Sequence, residues 1–70
     1  MCETSKIIGI RIKTERVKQE LSQEQLAELA NTHGNYIGEI ERGVKNPTIN
    51  AVSKIAEALK LPLEKLFKGL

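Results

Sequence analysis

The stretch QEQLAELANTHGNYIGEIER, residues 23–42, reads as two short helices joined by very few residues. Ser22 just before it is a good N-cap, since its hydroxyl can accept an orphan backbone N–H. Gln25 stands where a capping box wants Glu or Gln. The first of the two helices ends near Ala30, and Asn31 follows, a residue that tolerates the left-handed conformation closing a helix. The second runs from Gly34 to about Arg42 and is stopped by Gly43. A sharp bend needs a small residue where the backbones approach. Ala27 supplies it, and Leu26, Ile37 and Ile40 then face inward to lock the pair. Packing alone seldom demands such a bend, whereas presenting one helix outward does.

Working outward, a first helix is expected over roughly Ser5 to Gln19, with Ile8, Ile12, Arg16 and Gln19 at helical spacing and Val17 alongside. Beyond the bend, residues 44–47 form a loop, and Thr48 caps a helix from Ile49 to about Lys60. Its Ile49, Val52, Ile55, Ala56 and Leu59 make one apolar stripe expected to be core. Pro62 opens a short last helix carrying Leu63, Leu66 and Phe67, because proline is favoured in a first turn. Five helical segments with no strand, repeat or linker predict an all-α, compact five-helix bundle. Residues 1–70 would form one domain, with the bend motif at about 22–43.

Seventy residues lie near the lower limit for folding on a hydrophobic core alone. The chain is 40% hydrophobic but 3% aromatic, so Leu, Ile, Val and Ala must fill that core. A single Cys2 cannot form an internal disulfide, and Cys2 with His33 cannot assemble a structural zinc site. No metal or cofactor is therefore expected. No apolar run approaches the ~20 residues that span a membrane, and the N-terminus lacks a signal-peptide h-region. A cytoplasmic, complete protein is the expectation. Catalysis is not: the sequence has no cluster of His, Asp and Glu and no phosphate-binding glycine loop, and its one thiol is terminal. Tyr36 and Phe67 alone do not make a stacking platform for single-stranded RNA.

Charge is unevenly spread. Lys6, Arg11, Lys13, Arg16 and Lys18 face Glu15 alone, a balance of +4, which suits a polyanion as well as a solvated helix face. From Ser22 to Gly43 the sign reverses to −3, through Glu24, Glu28, Glu39 and Glu41 against Arg42. The outward face of the second bend helix keeps Gly34, Asn35, Gly38, Glu39 and Arg42, mostly small or polar groups. Such a face can lie on the floor of a DNA major groove, where bonds to base edges carry sequence information.

Leu21-Ser22-Gln23 through Leu26-Ala27, Tyr36-Ile37, Ile40-Glu41-Arg42-Gly43 and Asn46-Pro47-Thr48 resemble the lambda-repressor-like (Cro/cI-type) helix-turn-helix family. The likeness covers about residues 7–67, and Y36-I-G-E-I-E-R-G43 with Asn46 is similar to restriction–modification controller proteins. Glu20, Asn31 and Lys60 stand where family members often have glycine. Many relatives carry a basic residue at Glu39 and a polar or basic one at Gly34. The resemblance implies a third helix in the major groove and a dimer straddling two half-sites.

It also implies roles. Asn35 is expected to read a base, since a carboxamide pairs bidentately with adenine, and Glu39 to accept from a cytosine amino group. Gly34 would lie against the bases, and His33 either caps the helix or touches a base or phosphate. Gln23 would donate to a phosphate, and Tyr36 to another while its ring packs on the turn. Lys45, Asn46 and the backbone N–H groups of Arg42 and Gly43 would form a second phosphate clamp, with Arg11 and Lys13 adding to the field. Arg16 and Glu41 sit where relatives place an ion pair; the alternative is two exposed charges. Leu61, Leu63, Phe67 and Leu70 exceed what a small bundle hides and point to a homodimer interface.

The function expected is a homodimeric transcription regulator on an inverted-repeat operator of double-stranded DNA, a repressor or autoregulatory controller without a small-molecule effector. A protein-interaction module that keeps the fold is the alternative, supported by the −3 balance of the bend.

Overall fold

A computed structural model describes residues 3–70; what was expected of Cys2 lies outside them. The elements are α1 (Glu3–Lys18), α2 (Gln23–Leu29), α3 (Gly34–Glu41), α4 (Ile49–Ala58) and α5 (Leu63–Phe67), with no strand among the described residues. Ile8 and Ile12 of α1 meet Leu26 and Ala27 of α2, Ile37 and Ile40 of α3, Val52 and Ile55 of α4 and Leu66 of α5 in one buried aliphatic cluster. No described helix is long and apolar enough to cross a membrane.

Both expected N-caps form. The Ser22 hydroxyl accepts from the Gln25 backbone N–H at 3.0 Å, and the Ser22 N–H donates back to the Gln25 carboxamide at 2.8 Å, closing the capping box. Thr48 accepts from Ala51 N–H at 3.1 Å. Pro62 takes the N-cap position of α5, one residue earlier than a first-turn proline.

The C-terminal ends share one device. Leu21 N–H reaches Arg16 C=O, Thr32 reaches Ala27, Val44 reaches Glu39 and Leu61 reaches Ala56, each spanning five residues. The residue before each acceptor-seeking N–H has positive φ: Glu20 at 58°, Asn31 at 57°, Gly43 at 76° and Lys60 at 60°. These are Schellman closures, which satisfy orphan carbonyls and turn the chain sharply. Glycine serves only one of them. Glu20 and Lys60 therefore bear the left-handed strain that a side chain brings.

One expected core position is exposed. Ile49 is 64% exposed: it opens α4 one turn before Val52, and periodicity cannot say where neighbouring helices stop covering a stripe. Val17 is also exposed, because the inward edge of α1 runs through Ile8, Ile12 and Arg16 and a step of 100° carries Val17 past it.

A close backbone approach joins α1 and α3. A Cβ at Gly9 would lie 2.2 Å from Ile40 C=O and 3.1 Å from Glu41 C=O, so the backbone of α1 rests on the last turn of α3. A glycine inside a helix ordinarily costs about 0.5–1 kcal/mol relative to alanine. Here the sign should reverse. Gly9→Ala is expected to destabilise by about 1–3 kcal/mol through overpacking, whereas a gain in urea denaturation would refute the close approach. Lys60→Gly should instead raise stability by roughly 0.5–1 kcal/mol, read as a Tm several degrees higher.

Candidate nucleic-acid interface

The site is organised around a buried carboxylate. Glu41, in the last turn of α3, has a side chain only 2% exposed. Arg16 of α1 donates to it twice, from Nε at 2.7 Å and from Nη2 at 3.1 Å, while Arg16 Nη1 donates to Leu21 C=O at 2.7 Å. The Gln23 carboxamide, at the start of α2, adds a third donor to Glu41 Oε1 at 3.1 Å. The ion pair is thus built as the resemblance implied and largely buried, with Arg16 12% exposed at its side chain. It joins the first three helices at one point.

Two of the glycines expected on the open face of α3 are covered. The Glu24 carboxylate lies over Gly34, where a Cβ would fall 1.7 Å from its Oε1. Gly34 is buried and is not open to a base edge in this conformation, because α2 crosses close enough for Glu24 to fill the space a side chain would take. Gly38 is likewise buried: a Cβ there would stand 3.2 Å from Arg42 Nη1 and 3.4 Å from Gln23 Oε1. What the face offers is Asn35, exposed in the first turn, with half-buried Glu39 and exposed Arg42 farther along. His33 holds the N-cap position of α3 in extended geometry, exposed, and its side chain makes no capping bond. Tyr36 packs its ring against the core.

The backbone clamp expected at Arg42 and Gly43 does not exist in this form. Arg42 N–H donates to Gly38 C=O and Gly43 N–H to Ile40 C=O, each at 3.0 Å, because the last helical turn uses the first and the Schellman closure the second. The Arg42 side chain remains at the surface. In the following loop, Lys45 Nζ lies 3.7 Å from Glu39 Oε1, and Asn46 accepts from the Ser5 hydroxyl. Arg11 also departs from its expected place in the general field. Its Nη1 donates to Leu66 C=O at 3.2 Å and Lys68 C=O at 2.7 Å, capping the end of α5. Lys13 is exposed on α1.

A helix-turn-helix family profile matches residues 12–66. The chain belongs to the helix-turn-helix family. Control protein C.SmaI of Serratia marcescens is 36% identical over 64 residues, 91% of this chain and 76% of that protein. The crystal structure of the restriction–modification controller protein C.AhdI from Aeromonas hydrophila aligns with a TM-score of 0.87 at 35% identity, over 90% of this chain and 91% of that one. SinR, a master regulator for biofilm formation solved in complex with DNA, aligns at 0.82 and 34% identity, over 87% of this chain and 98% of that one. Other curated relatives are longer, and the chain spans 36–42% of their length.

The matched residues 12–66 include all of α2 and α3. Sequence reasoning missed the bond from Gln23 to Glu41, the cover of Gly34 by Glu24, and the α5 cap by Arg11. Only Gly9 carried a signal of its own, as a lone glycine inside a helical stretch. The two ion pairs at α3 should differ sharply in weight. Glu41→Ala, which strands the Arg16 charge, is expected to cost about 3 kcal/mol, and Glu39→Ala less than about 1 kcal/mol. Equal losses in chemical denaturation would contradict this ranking.

Proposed function

We propose that this chain regulates transcription as a homodimer on double-stranded DNA, each protomer laying α3 along one half-site of an inverted repeat. The observation that carries the reading is the exposed first turn of α3. There Asn35 projects from a helix whose buried Glu41 is held by three N–H donors. A carboxamide so placed pairs with adenine through N6 and N7, while Glu39 accepts from a cytosine amino group and rejects other bases. Gln23 at the start of α2, Arg42 at the end of α3 and Lys45 in the loop beyond serve phosphates, which set register without reading sequence. His33 and Tyr36 border the first turn and Asn46 lies in the loop after α3, with roles secondary to these. The controller and SinR likenesses support a regulator of the repressor or autoregulatory type.

The second protomer belongs at the α4–α5 edge. Leu61, Leu63 and Phe67 are half-buried against their own core and Leu70 is exposed, so apolar surface continues outward from the bundle at this edge. A single eight-residue helix in one groove supplies little specificity, and a two-fold pair supplies the rest.

Selection of bound duplexes from a random pool at physiological salt tests the reading. An enriched inverted repeat with half-sites about one helical turn apart is expected. No enrichment with folded protein would move the assignment to a protein-bridging module. Asn35→Ala should lose roughly 1–3 kcal/mol on the selected site and relax preference at one position per half-site. An unchanged preference would remove Asn35 as the reader.

A further inference from the structure

Gln23 and Arg42 meet over Gly38. A Cβ at Gly38 would touch Arg42 Nη1 at 3.2 Å, Gln23 Oε1 at 3.4 Å and Gln23 Nε2 at 3.5 Å. The amide at the start of α2 and the guanidinium from the end of α3 therefore share one small floor. A Cβ there would ask Arg42 Nη1 to give by a few tenths of an ångström and would stand in ordinary contact with Gln23. The orientation of the amide is also set. Glu41 is a carboxylate engaged by Arg16, so it accepts and does not donate, and Gln23 must turn its nitrogen toward it. One carboxamide N–H is thereby occupied, and the second is left for another acceptor.

We propose that Glu41 is a positioning residue for DNA binding: it holds one N–H of Gln23 so that the other, together with Arg42, clamps a single phosphate over Gly38. This rests on the reading of Gln23 and Arg42 as phosphate contacts. A free glutamine loses several rotamers when it binds, and a pre-aimed one has already lost them on folding. The same carboxylate, matched by Arg16, brings no unpaired negative charge toward the phosphate. Gly38 is the floor of the clamp. A Cβ there would crowd Arg42 Nη1 at 3.2 Å while resting in ordinary contact on the Gln23 amide.

A double-mutant cycle on the selected operator separates this from a purely structural role. The pair is replaced as Arg16→Met with Glu41→Leu, which leaves no stranded charge, and is combined with Gln23→Ala. Each change alone should weaken binding about tenfold, uniformly across related sequences, the size expected for a hydrogen bond to a charged group. Together they should weaken it no further than either alone. Additive losses, or a pair replacement that binds like the parent, would overturn the proposal. If Gln23→Ala itself leaves affinity unchanged, the phosphate reading of Gln23 fails, and the proposal with it. Should the pair replacement not fold, NMR of the parent protein decides. The two Gln23 amide protons should be resolved in the free protein, and only one should shift on adding DNA. An averaged pair, or two protons that shift alike, would overturn the assignment.

Discussion

Everything around α3 depends on the Glu41 carboxylate being satisfied. An anion only 2% exposed is costly in so small a protein, and three N–H donors from two other helices offset that cost. Such an arrangement adds little net stability compared with an apolar replacement, but it admits one geometry. It exists because Gly9 lets α1 rest on the carbonyls that end α3, bringing Arg16 within reach. A side chain at Gly9 would press on the carbonyls of Ile40 and Glu41 and force the two helices to shift. This backbone contact and the buried charge are thus two aspects of the same junction.

The rest of the bundle is a matter of helix ends. α2 has seven residues and α3 eight, too short to persist alone in water. Each is closed by a Schellman turn, and α2 is also opened by a capping box. Leu21 and Leu61, just beyond two of these turns, pack back on the core, so the turns also feed the hydrophobic cluster. Arg11 does for α5 what a left-handed residue does for the others, satisfying its last carbonyls from outside.

The charge pattern looks different in three dimensions. A balance of −3 over the bend seems hostile to DNA when read along the chain. In the fold, Glu41 is matched by Arg16 and withdrawn from solvent, and Glu39 has Lys45 at 3.7 Å. Glu24 lies over the first residue of α3, where the helix dipole favours a negative group. Of the motif's acidic residues, Glu41 is buried and Glu39 half-buried beside Lys45, while Glu24 and Glu28 stay exposed. The −3 balance is therefore softened at α3 and persists on the outer face of α2.

The sequence alone determined the local features: five helices, the capping box at Ser22 and Gln25, the Thr48 cap, and positive φ at Asn31 and Gly43. Those depend on side chains within a few residues of one another, and so they are written along the chain. It also indicated the inward set Leu26, Ile37 and Ile40, because helical periodicity records which face is covered. Periodicity does not record where cover ends, which is why Ile49 was misplaced. What only the tertiary structure decided are the partners across long separations. Arg11 reaches α5 across 55 residues of chain, Gln23 reaches Glu41 across 18, and Glu24 closes over Gly34. A long polar side chain has several acceptors within its radius, and the choice among them follows from crossing distances between helices. Between α1 and α3 that distance depends on a hydrogen atom at Gly9 in place of a Cβ.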